Sequence, residues 1–175
     1  VTFIEILAAW LLADFLSGVF HWWEDRYGNP AWPIIGEHVI QPNIQHHTDQ
    51  LAFVRKGYFE RNWTTLLPAG MAACVAGLLG SPFLAVTFLM LGQANEIHAW
   101  AHQKCRRPIR GLQLLGVLQS PEQHADHHKR PFDRNYCTLT DWLNPVLSFV
   151  GFWDELEELG IDWFRIYPRV ERWQA

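Results

Sequence analysis

Every lysine, arginine and histidine of this chain lies outside three apolar stretches or at their ends. Residues 1–20 are apolar apart from Glu5, Asp14 and a few small polar residues, while residues 63–80 and 83–95 carry no charge. Twenty helical residues span about 30 Å, the hydrocarbon thickness of a bilayer. Ser81-Pro82 is a turn signal, so the second and third stretches read as a helical hairpin. The segregation predicts an all-α integral membrane protein with about three transmembrane helices, in a single domain over residues 1–175. Two shorter apolar pieces, 111–118 and 142–153, are too short to span; either would lie in the interface or add a fourth, re-entrant element. A buried hairpin in a soluble helical bundle is the competing reading. The mean hydropathy of −0.07 suggests a soluble protein only because it averages two opposed halves.

With three spans, residues 21–62 and everything after about 101 share one side of the membrane. That side holds all 14 Lys and Arg residues, Arg165, Arg169 and Arg172 among them, which by the positive-inside rule makes it cytoplasmic. Tryptophans 22, 23, 63, 100, 142 and 153 fall near span ends, as an aromatic belt does. The net charge of −4 gives no overall basic footprint for nucleic acid. Cys74, Cys105 and Cys137 contain no CxxC pair, which argues against a disulfide framework or a zinc ribbon.

The nine histidines, His21, His38, His46, His47, His98, His102, His124, His127 and His128, all fall in the predicted cytoplasmic layer or at span ends. His98 and His102 are four apart and share a helix face. His124, His127 and His128 form HxxHH, again one face. Neutral imidazole is the commonest protein metal ligand. This many imidazoles exceeds one coordination sphere, so two metals with about four imidazoles each are expected. Iron, zinc, copper and nickel all suit imidazole, and a haem pair is the rival. Asp14, a carboxylate inside an apolar span, is expensive and functional by default; it is expected to accept a ring N–H from a metal-bound histidine. Asp25, four residues after His21, and Asp49 are expected in similar roles, and Asn95 is expected to orient a metal-bound water.

Several ordered pieces carry a resemblance. They are Ala13-Asp14 with Ser17-Gly18, His21-Trp22 and Asp25; Ile40, Pro42 and His46-His47 with Asp49; Asn95, His98 and His102; His124 with His127-His128; then Tyr136-Cys137, Thr140, Trp142-Leu143-Asn144 and Gly151-Phe152-Trp153. Together they resemble the membrane lipid-desaturase family that includes plasmanylethanolamine desaturase, the light-responsive bacterial regulator of the same activity and the plant plastid palmitate desaturase. The resemblance implies O2-dependent desaturation of a lipid chain at a di-iron centre held by His21, His46, His47, His98, His102, His124, His127 and His128. His38 has no counterpart in that set. The resemblance also implies an external electron donor of cytochrome b5 or ferredoxin type. Gln41, Ile44 and Gln50 depart from the animal pattern, which bears on head-group recognition. Arg55, Lys56 and Arg61 are the candidate contacts to a lipid head group. A lipid hydroxylase on the same centre and a non-enzymatic membrane metal or haem protein are the alternatives. Ligands gathered at one end of the spans argue against a metal carrier.

Overall fold

The structure, a computed structural model, describes residues 2–164. Val1, Arg165, Arg169 and Arg172 lie outside the described residues. The described residues are all-helical, with no strand among them. The order is α1 (Phe3–Arg26), a π-helical turn (Gly36–Ile40), α2 (Gln41–Thr48), α3 (Gln50–Val54), α4 (Tyr58–Leu78), α5 (Pro82–Leu91), α6 (Ala94–Ala101), α7 (Arg107–Leu114), α8 (Pro121–His127), α9 (Leu143–Phe149) and α10 (Phe152–Phe164).

α1 starts where Thr2 and Glu5 cap one another reciprocally, satisfying the orphan amides of the first turn. Its 24 residues run about 36 Å. Among the described residues it is the one helix long and apolar enough to cross a membrane, and most of its apolar window stays at the protein surface.

The second stretch forms a helix as expected, whereas the third differs from the single helix expected. The second becomes α4, which opens on Glu60, Arg61 and Asn62 and contains Pro68. The third is broken in two. α5 has 10 residues, about 15 Å, and ends at Gly92 before α6 begins. The Thr65 hydroxyl donates to the Gly92 carbonyl (3.2 Å), drawing that carbonyl out of the helical ladder at a residue of weak helix preference. The hairpin itself forms as the turn chemistry predicts, with Ser81 capping α5 and Pro82 at its first position.

α4 packs against α5 and α6, and α5 against α1. The buried face of α4 is small, with Ala69, Ala73 and Ala76, so neighbouring backbones approach closely. Its other edge carries Phe59, Trp63, Leu67, Met71, Val75 and Leu79, all exposed and each four residues from the next.

Two apolar clusters sit along α1. One gathers Ala13, Ala94, Ile97, Leu118 and Leu139; the other gathers Trp22, Tyr136, Cys137 and Trp153 nearer its C-terminal end. Both include residues of 135–144, an irregular strap laid across α1. Gly18 lets the strap in, since a Cβ there would stand 2.6 Å from Cys137 Sγ and 3.1 Å from Trp153.

Candidate metal centre

Four elements deliver imidazoles to one place. α1 brings His21, α2 brings His46 and His47, α6 brings His98 with His102 at its C-cap, and α8 brings His124 and His127 with His128 at its C-cap. Their donor atoms fall into two groups, each with all ligand atoms within 4.8 Å of one another. One group is His46, His98, His102, His124 and His128; the other is His21, Asp25, His47 and His127. All eight histidines named from sequence are in these groups, whereas His38 packs its ring against Trp63 at 5.2 Å.

The five-histidine group converges through Nε2 atoms. His98 Nε2 lies 3.0 Å from that of His46 and 2.8 Å from that of His124, which is 3.0 Å from that of His128. Two nitrogens at right angles around an ion with bonds of about 2.1 Å stand about 3 Å apart. Burial, then the neighbouring imidazoles, hold His46 and His124 well below the ordinary histidine value and bring His128 down to about 2. These rings are neutral near pH 7, the form that coordinates. Phe53 covers the group, 5.5 Å from the His46 ring and 5.0 Å from the His98 ring.

In the second group, backbone carbonyls at and just before the start of the strap set two tautomers. His21 Nδ1 donates to the Tyr136 carbonyl (3.0 Å) and His127 Nδ1 to the Arg134 carbonyl (2.8 Å). Each ring has one N–H when neutral, so Nε2 presents a lone pair. Both Nε2 atoms face Asp25 Oδ2, at 3.6 Å from His21 and 3.3 Å from His127, and Asp25 Oδ1 stands 3.0 Å from His47 Nε2. Two nitrogen lone pairs aimed at a buried carboxylate oxygen repel unless a cation, a metal ion or a proton, lies among them. The donors are imidazole and carboxylate, a set that suits iron, and no cysteine is included. The residues therefore fit two metal ions side by side.

The polar residues expected to orient the ligands are placed differently. Asp25 joins the second group with its own oxygen instead of standing behind it. Asp14 touches no histidine. It accepts from Leu139 N (2.8 Å), Thr140 N (3.1 Å) and Thr140 Oγ1 (2.5 Å), and Ser17 Oγ accepts from Thr138 N. It acts one step removed, fastening the strap whose Tyr136 carbonyl orients His21 and which begins next to Arg134, whose carbonyl orients His127. Asn95 donates to the Arg61 carbonyl (2.9 Å) and so ties α6 to α4, away from the metal positions. Asp49 caps α3 and pairs with Arg55 at the surface.

Of the basic trio, Arg55 is exposed beside Asp49, and Lys56 stands 4.0 Å from Glu60. Arg61 is buried. It pairs with Glu96 at 2.6 Å and donates to the Val54 and Lys56 carbonyls, while Asn62 donates to the same Glu96 oxygen. It is unavailable to a head group. This clamp holds α6, and with it His98, against α4 and the end of α3. Sequence reasoning missed it, although Glu96, an isolated carboxylate after an uncharged run, was its visible signal.

Comparison with known proteins follows the same lines. The family model described as the lipid desaturase domain matches residues 10–171. The plasmanylethanolamine desaturase of Myxococcus xanthus is 30% identical over 168 residues, covering 90% of this chain and 59% of that protein. Plasmanylethanolamine desaturase 1 of Mus musculus is 33% identical over 172 residues, with coverages of 89% and 64%. The chloroplastic fatty acid desaturase 4-like 2 of Arabidopsis thaliana is 35% identical over 175 residues, with coverages of 93% and 61%. The chain thus spans about three fifths of the length of these relatives. No solved structure matches. With the family model running from Trp10 past the last described helix, through every residue of both histidine groups, the chain belongs to the lipid desaturase domain family.

Proposed function

We propose that the chain is an O2-dependent lipid desaturase using two iron ions, which introduces a double bond into a hydrocarbon chain of a membrane phospholipid. An ether-linked alkyl chain is the first-choice substrate and a vinyl ether the product, as the likeness to plasmanylethanolamine desaturases suggests. The observation that carries this reading is the pair of adjacent donor groups, above all the lone pairs of His21 and His127 turned on the Asp25 carboxylate.

Bound iron supplies O2 activation and hydrogen removal: one O2, two electrons and two protons enter, and two waters and one alkene leave. The electrons come from an external carrier of cytochrome b5 or ferredoxin type. The Tyr136 and Arg134 carbonyls hold two ligand rings in the coordinating tautomer, and Phe53 excludes water from one side of the other group. α1 crosses the membrane, α4 and the α5–α6 pair complete the multi-pass body, and the histidine layer faces the cytoplasm. In support, no Lys or Arg occurs before Arg26 or between residues 62 and 103. Arg55 and Lys56 remain the candidates for phosphate contact.

The test is expression of the full chain in a host lacking the activity, with an alkyl-ether phospholipid, an electron donor and iron supplied. Lipid mass spectrometry is expected to show loss of two hydrogens and an acid-labile chain, and metal analysis about two irons per chain. An added oxygen would make it a hydroxylase. A Soret band in the purified protein would replace the di-iron reading with a haem one.

A further inference from the structure

The segments between the histidine helices run deep along α1. Trp10 Nε1 donates to the Val117 carbonyl (3.2 Å), and Asp14 receives Leu139 and Thr140. The Phe15 ring meets that of Phe152 at 5.5 Å. Trp10 lies eleven residues before His21, about 16 Å along the helix axis. If α1 spans the bilayer, residues 112–118 and 139–152 stand beside its middle and not at the level of the histidines.

Their exposed side chains match that depth. α7 opens on Arg106, Arg107 and Arg110 and ends on Leu112, Leu114 and Leu115, the last two 72% and 71% exposed. Gly116 turns the chain at a φ of 70°, where a Cβ would stand 2.9 Å from Trp142 Nε1, and residues 117–120 return towards α8 and His124. α9 exposes Val146, Phe149 and Val150, with Phe149 at 90%.

The backbone there is provided for from within the protein. Asp141 N donates to the Gly116 carbonyl and Gln119 N to that of Leu139. Gln113 Nε2 serves the Trp100 and Gln119 carbonyls, and Gln119 Nε2 that of Cys137. Irregular backbone at membrane depth persists only where protein groups satisfy it. A surface loop would leave this work to water and would have no use for two buried glutamines and a buried aspartate.

We infer that α7 with its Gly116 turn, and α9, are re-entrant elements whose leucine, valine and phenylalanine tips contact the acyl chains of the bilayer. The arginines at the start of α7 stay at the head-group layer. α9 packs against α1 and Val117 meets Trp10, so these tips adjoin the helix whose apolar window stays mostly exposed, which favours acyl chains over a second protein as the occupant. The inference rests on the membrane reading of α1.

The test is hydrophobic photolabelling of the full-length protein in vesicles of phosphatidylcholine with phosphatidylglycerol, using a bilayer-partitioned aryl diazirine and peptide mapping by mass spectrometry. The peptides holding Leu112–Leu115 and Val146–Val150 are expected to label within about twofold of the α4 stripe, as a shared lipid environment requires. The peptide holding His124 and His127 is expected to stay unlabelled. Label on α1 and α4 with none on these two peptides would overturn the inference and leave the membrane reading standing. An unlabelled α1 would overturn both.

Discussion

Replacing Asp14 by alanine strands three donors at once. The carboxylate is fully buried and accepts from two strap amides and the Thr140 hydroxyl. Leaving a buried donor unpaired costs about 1–3 kcal/mol, so the two amides alone put Asp14→Ala at about 2–6 kcal/mol. For a chain of this size that is a fall in Tm of about 4–24 °C. Asp14→Asn keeps one oxygen for both amides and lets the Thr140 hydroxyl turn to accept, at about 1 kcal/mol. The effect also reaches the metal centre, because a loosened strap withdraws the Tyr136 carbonyl from His21. Loss of such an orienting partner typically weakens metal binding about 10–100-fold. The assay is thermal unfolding in detergent micelles beside iron titration, for wild type, Asp14→Ala and Asp14→Asn. Wild-type Tm and wild-type iron affinity in Asp14→Ala would refute the reasoning.

The other predictions concern single contacts. His46→Ala and His47→Ala each remove a ligand from a different group, so each is expected to lower iron content from about two to about one per chain, read by metal analysis; complete loss in either would show that the positions fill together. Glu96→Ala leaves the buried Arg61 guanidinium without its carboxylate and is expected to cost about 3–5 kcal/mol, with Glu96→Gln milder; equal Tm values for the two would show that charge does not matter there. Gly116→Ala combines a left-handed backbone with a close approach to Trp142 and is expected to destabilise by about 1–2 kcal/mol before any clash is counted, measurable as a lower Tm. Removing iron with a chelator is expected to lower the Tm of the wild-type protein, and restoring it to recover the value, since a ligand bound only by the folded state stabilises it.

The histidines were legible because coordination needs particular residues at particular spacings, and His98 with His102 and His124 with His128 stand at a helical turn's distance. Their sorting was not. HxxHH read as one face, yet His127 turns to the second group, because orientation is decided by what each helix packs against. Asp14 was legible as a group with work to do, since a carboxylate amid apolar residues demands a partner. Its partners lie 125 and 126 residues away, beyond any local pattern. Arg61 read as surface charge beside Arg55 and Lys56 until the fold brought Glu96 to it across 35 residues. The α4–α5 hairpin followed from Ser81-Pro82, whereas the break before α6 depended on Thr65 reaching the Gly92 carbonyl from another helix.

The two donor groups are bridged by neighbours in sequence: His46 belongs to one and His47 to the other, and likewise His128 and His127. Consecutive Cα atoms are held 3.8 Å apart by covalent geometry. Two peptide units thus hold the two donor groups beside one another. A shift or rotation of α2 or α8 carries donors of both groups together. α1 and α6 each serve a single group, so a shift of either is the movement that treats the two positions differently.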